Sequence, residues 1–166
     1  MNKDCSGFTL IETLTVLILL GVLAVNVVVH WPADDELKLP AQADLMASHI
    51  RHLQSLAMYW GQPLRLTISN GSYSVSCVST TAGSPCNGSN PVIDPVTGQA
   101  FSTTLESGIT LKEVSGLTTT GFDTLGRPVS GGSLISTTPA RTFTLSAGTD
   151  ATVTLSPLTG FVSVSP

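Results

Sequence analysis

Charge is what this sequence has least of. Asp, Glu, Lys and Arg make up 11% of its 166 residues, against roughly 25% in an ordinary soluble domain. Seven Lys and Arg stand against eleven Asp and Glu, for a net charge of −4, and the 25 residues after Arg141 contain no Lys or Arg. Affinity for a phosphate backbone comes from clustered cations, so no nucleic-acid partner is expected. Catalytic signatures are missing as well: there is no Gly-x-Ser-x-Gly elbow and no His-Glu-x-x-His pair. Neither an enzyme nor a cofactor is expected. Ser and Thr fill 42 of the 166 positions, a composition of strands and turns with few solvated helical faces.

Several short patterns echo binding motifs and fail on inspection. Residues 121–126 followed by Arg127 imitate a phosphate-binding loop, but the lysine is absent and Pro128 stands where Ser or Thr must hold magnesium. His49 and His52 lie one helical turn apart, yet no third metal ligand is placed by spacing, so no metal is expected. Asp94-Pro95-Val96-Thr97-Gly98 lacks the repeated acids of a calcium loop and reads as a turn. Asn70-Gly71-Ser72 and Asn87-Gly88-Ser89 match the glycosylation sequon, but both sit where turns favour Asn-Gly.

What the chain does have is one long apolar run with an acid near its start. Residues 8–31 would form about 36 Å of helix at ~1.5 Å per residue, enough for a ~30 Å hydrocarbon core. A secretory signal is the poorer reading, because its apolar region spans only ~7 to 15 residues and closes on a small-residue cleavage site. This run is longer and ends in His30-Trp31-Pro32. After Glu12 no charged residue follows until Asp34. An unpaired carboxylate at the centre of a membrane helix costs roughly 2.5 to 3.5 kcal/mol, so Glu12 calls for a neutralising partner.

Gly7-Phe8-Thr9-Leu10-Ile11-Glu12, preceded by Lys3 and followed by the apolar run, resembles the class III signal of type IV pilins and type II secretion pseudopilins. On that resemblance a prepilin peptidase cuts between Gly7 and Phe8. The new terminus at Phe8 is N-methylated, and Glu12 meets the amine of a neighbouring subunit's Phe8. The implied partners are the peptidase/N-methyltransferase, other pilin or pseudopilin subunits and an inner-membrane assembly platform. The implied location is the bacterial inner membrane, crossed once with the C-terminal domain in the periplasm, and then the filament. Cys5 would leave with the leader, so that Cys77 and Cys86 remain as an even pair, which reads as a disulfide in an oxidising periplasm. Closing so short a loop contributes roughly 2.5 to 3 kcal/mol in the chain-entropy model.

Pro32 and Pro40 bracket three acids and should kink or break the helix, with a solvated linker between them. Leu39, Ala43, Met46, Ile50, Leu53, Ala57 and Trp60 then recur at helical spacing, and Gly61 and Pro63 end the pattern. The stripe predicts packing on a sheet. Alternation then shifts to two: Leu64, Leu66 and Ile68, a tight turn at Asn70-Gly71, and Tyr73, Val75 and Cys77 predict a hairpin. Residues 79–100 predict a long loop. Further strands are predicted at residues 109–114, 117–122, 141–146, 152–156 and 161–164, with turns at residues 123–126 and 156–160.

The expected organisation is a cleaved leader at residues 1–7, a transmembrane and filament-core helix at 8–31, a linker and amphipathic helix at 32–61, and a globular antiparallel β domain at 62–166. The class is α+β, a long N-terminal helix kinked near the prolines and packed on a small antiparallel sheet domain. Residues 122–128 and the closing strand, turn and strand look like minor pilins of the FimT and GspH type. The resemblance implies a minor structural subunit of a type IV pilus, and the long bridged loop points to an MSHA-like surface pilus. A type II secretion minor pseudopilin is the alternative. A DNA-uptake pilin is disfavoured by the absence of cations after Arg141.

Overall fold

The computed structural model describes residues 9–29, 34–78, 91–114, 119–136 and 141–165. It divides into two compact units, residues 1–33 and 34–166. The first contributes one helix, α1, Leu10–Val29. Thr9 opens it: its Oγ1 accepts from the Glu12 N–H at 3.4 Å, and its carbonyl from the N–H groups of Glu12 and Thr13 at 3.1 and 3.2 Å. Thr-Leu-Ile-Glu thus has the spacing of a capping box. Thr13 and Thr15 donate their hydroxyls to the carbonyls of Leu10 and Glu12, both at 2.9 Å, and so hide two polar groups within the helix. Among the described residues no helix is long and apolar enough to cross a membrane. The side chains described in α1 stop at Val25, about 24 Å of helix at ~1.5 Å per residue.

The second unit opens with α2, Asp34–Trp60. Here the structure corrects the sequence reading. Residues 34–39 are not a linker but the first turns of α2, and Pro40 lies inside the helix without breaking it. The three acids at its start complement the helix dipole, and Pro40 is exposed, so its ring meets solvent instead of the core. Pro32, the other residue of the expected kink, lies outside the described residues. The apolar stripe is as predicted: Leu39, Ala43, Met46, Ile50, Leu53 and Ala57 are buried and Trp60 packs against the same core.

Two antiparallel sheets receive that stripe. The first runs in the order β3 (Ser102–Thr104), β2 (Ser72–Cys77), β1 (Leu64–Ser69), β5 (Thr119–Phe122), β6 (Pro128–Ser130) and β7 (Ser133–Leu134). The second is β10 (Val162–Ser165), β9 (Thr149–Leu155), β8 (Arg141–Ala147) and β4 (Thr110–Glu113). The β1–β2 hairpin turns at Asn70-Gly71 with Ser69 opposite Ser72, as the alternation predicts. Every second side chain, from Leu64, Leu66 and Ile68 to Phe143, Leu145, Val153 and Leu155, points into one shared core beneath α2. The four-stranded sheet supplies most of the helix's footing, and β1 and β5 supply the rest.

A buried ion pair within the second sheet also reaches the first. Arg141 on β8 lies 3.9 Å from Glu113 on β4, both nearly inaccessible, and its Nε donates to Thr120 Oγ1 on β5 at 3.1 Å. Neither charge could be removed alone without stranding the other in a dry interior.

Candidate assembly site

The sequence places its functional residues at the front of the chain. Gly7 and Phe8 lie outside the described residues. Glu12 is described, in the first turn of α1. Around it the helix is apolar and open: Leu10 is 83% exposed, Ile11 70% and Leu17 69%. Among the described residues Glu12 takes part in no ion pair. An exposed hydrophobic cylinder with one acid near its tip is suited to burial among other helices, provided a cation arrives with them.

Cys77 ends β2 and packs half-buried against the core. Cys86 lies outside the described residues, as does residue 79–90 of the expected loop. The second half of that loop is not featureless. Ile93 pairs with Ala100, and Asp94 Oδ1 accepts from the Val96 N–H at 3.0 Å, with Gly98 at φ 68° completing a turn. This is the turn that Asp94-Pro95-Val96-Thr97-Gly98 predicts.

The two histidines, candidates for a metal, do other work. His52 Nε2 donates to Asp94 Oδ1 at 3.1 Å and so pins the 91–100 loop to α2. His49 Nδ1 lies 2.7 Å from the Tyr73 hydroxyl and 3.4 Å from Thr103 Oγ1, and the ring of Phe101 meets both imidazoles. Burial pushes the Tyr73 phenol up to about 12, against a small opposing effect of its bond to Thr103. The phenol therefore stays protonated, and the direction of its hydrogen bond with His49 Nδ1 follows the imidazole tautomer. Burial, then the nearby His52, lowers the pKa of His49, with Asp94 partly opposing. For Asp94, burial acts upward but is outweighed by the hydrogen bonds from Val96, His52 and Thr97, which hold the carboxyl below its ordinary value. Among the described residues no cluster of three or more His, Cys, Asp or Glu could hold a metal.

Sequence reasoning missed these contacts because they join residues far apart. His52 and Asp94 are 42 positions distant, and nothing in either segment marks the other as its partner. A groove of about 390 Å³ on the other side of β1 is lined by Pro63, Arg65, Val78, Thr120 and Asp123 among others. It holds no arrangement of nucleophile and base.

Residues 2–25 match the model of the prokaryotic N-terminal methylation motif. No curated protein matches the sequence. Among solved structures, the fold is similar to the type IV minor pilin FimU of Pseudomonas aeruginosa, at 16% identity and a TM-score of 0.56, covering 81% of this chain and 93% of that one. It is similar also to the minor pseudopilin EpsH of the type 2 secretion system of Vibrio cholerae, at 14% identity and 0.55, covering 77% and 96%. At such identities the likeness is one of fold. The motif implies membrane anchoring, processing and assembly with subunits of the same kind. Motif and fold together support a minor subunit of a pilus or a pseudopilus.

Proposed function

We propose that the chain is a minor structural subunit of a type IV pilus, cut between Gly7 and Phe8 by a prepilin peptidase, methylated at Phe8, and held in the inner membrane until assembly. The observation that carries this reading is the joint occurrence of the methylation motif at residues 2–25 and a head with the minor-pilin fold. The head is then periplasmic, the anchor crosses the membrane once, and the protein is not an enzyme. In this reading Cys77 and Cys86, the pair left once the leader is removed, are bridged in an oxidising compartment. A type II secretion pseudopilin is the second reading, supported by the likeness to EpsH.

In this reading Glu12 is tolerated in oil because a neighbour's Phe8 amine neutralises it, and the pair selects axial register as much as it adds adhesion. Glu12→Ala leaves a chain that folds and is trimmed, but enters filaments poorly. Quantifying the variant in sheared filaments against wild type checks this, and equal incorporation would end the pairing claim. Mass spectrometry of membrane-extracted protein reads the terminus, the methyl group and the two-hydrogen loss of the bridge together. A wild-type chain that still begins at Met1 where the peptidase is active contradicts the whole reading.

A further inference from the structure

The outer face of the six-stranded sheet carries a hollow with one cation at its edge. Leu64, Leu66 and Ile68 of β1 turn into the core, so Arg65 between them faces outward and is exposed. In one row across the sheet Arg65 stands beside Gly121, and Gly121 beside Val129. The middle position has to stay bare, because a Cβ there would run into the Leu64 carbonyl oxygen. A side chain missing between two that are present leaves the floor of the groove of about 390 Å³, a size within the ~300–1,000 Å³ of ligand clefts. Pro63, Val78 and Val129 are its apolar walls, and Gly131 and Gly132, both at positive φ, make the tight turn from β6 into β7 at its rim.

The lining says what fits. Arg65 is its one cation, and among the described residues Arg65 takes part in no ion pair. Asp123 lines the same groove but is engaged by its own turn: its carboxylate accepts from the N–H groups of Leu125 and Arg127 at 2.9 and 2.8 Å and from Arg127 Nε at 2.7 Å. A single guanidinium forks a single carboxylate through two parallel hydrogen bonds. A phosphate or sulfate dianion would find one cation for two charges, with the Asp123 carboxylate nearby. No aromatic ring lines the groove for a sugar face to stack on. The backbone offers an edge as well. All four residues of β5 ladder with β1, but only Gly121 and Phe122 ladder with β6, so Thr119 and Thr120 have no strand on that side. An extended peptide can add to such an edge. We propose that the groove binds the carboxyl end of an aliphatic peptide, with the terminal carboxylate on Arg65 and the last side chains against Val78 and Val129. The inference stands on the head alone and is the same for a pilus or a pseudopilus subunit.

Fluorescence polarisation of the full-length protein in detergent, with fluorescein-labelled Gly-Ala-Val-Val as probe, tests this. The free acid is expected to bind, and affinity to fall about tenfold for its C-terminal amide and for Arg65→Gln, each of which removes one side of a charge-assisted pair. Arg65 is exposed, so Arg65→Gln should keep the parent's melting temperature. Val129→Glu sets a carboxylate in the hollow and should abolish binding although Arg65 remains. No binding of the free acid, equal binding of acid and amide, or undiminished binding by either variant overturns the site. Comparing acid with amide on the unaltered protein decides the matter even where a variant melts early. Displacement of the probe by glucuronate as effectively as by unlabelled Gly-Ala-Val-Val would give the groove to a sugar acid and overturn the peptide assignment.

Discussion

His49 shows how one residue's surroundings become a property of the head. Its imidazole shares a hydrogen bond with a phenol that burial keeps protonated, and burial together with His52 disfavours a second proton on the ring. The unfolded chain, with an ordinary histidine near 6.5, takes that proton more readily. Stability is therefore complete above about pH 6.5 and is lost as pH falls from there towards the lower folded-state value. Denaturant unfolding at pH 7.5 and 5.5 should show the head weaker at the lower pH, and His49→Gln, whose amide can still hydrogen-bond Tyr73 but does not titrate, should shrink the difference. Equal differences in both proteins would clear His49 of the effect. Asp94, held low by its hydrogen bonds, adds a loss of its own that begins only in more acid solution, below about 4.

At the scale of elements, α2 and the first hairpin were legible because their signals are local. A stripe repeating at 3.6 residues and an Asn-Gly between two alternating runs need no knowledge of the rest of the chain. The strands that escaped, β3, β6 and β7, have three, three and two residues, too few for a period of two to register. They exist because a neighbour offers them a ladder, β2 for β3 and β5 for β6. The start of α2 escaped for a different reason: proline chemistry argues for a break, and packing of Leu39 and Ala43 into the core overrides it. That override has a cost. Pro40→Ala restores a backbone donor to an exposed helical position and should raise the stability of the head by about 2 kcal/mol. Unchanged stability in urea unfolding would mean that the first turns of α2 are not held as helix.

For the whole molecule the governing quantity is the scarcity of cations. With a net charge of −4, Arg141 committed to Glu113 and Arg127 to Asp123, no basic track is left for a phosphate backbone to follow. The full-length protein in detergent should leave duplex DNA unretarded in a gel even at low salt, and a retarded band would revive the DNA-capture reading. The same scarcity gives the few charges leverage, since each one at the surface is conspicuous against Ser and Thr.

The sequence alone determined the motif, the apolar helix, the stripe of α2 and the alternating strands, because each depends on neighbours within a few positions. Only the tertiary structure decided that His52 holds Asp94 and that Gln54 clamps two turns more than 70 positions away. Those outcomes depend on which segments the shared core brings together, and no local pattern of polar or apolar residues carries that information.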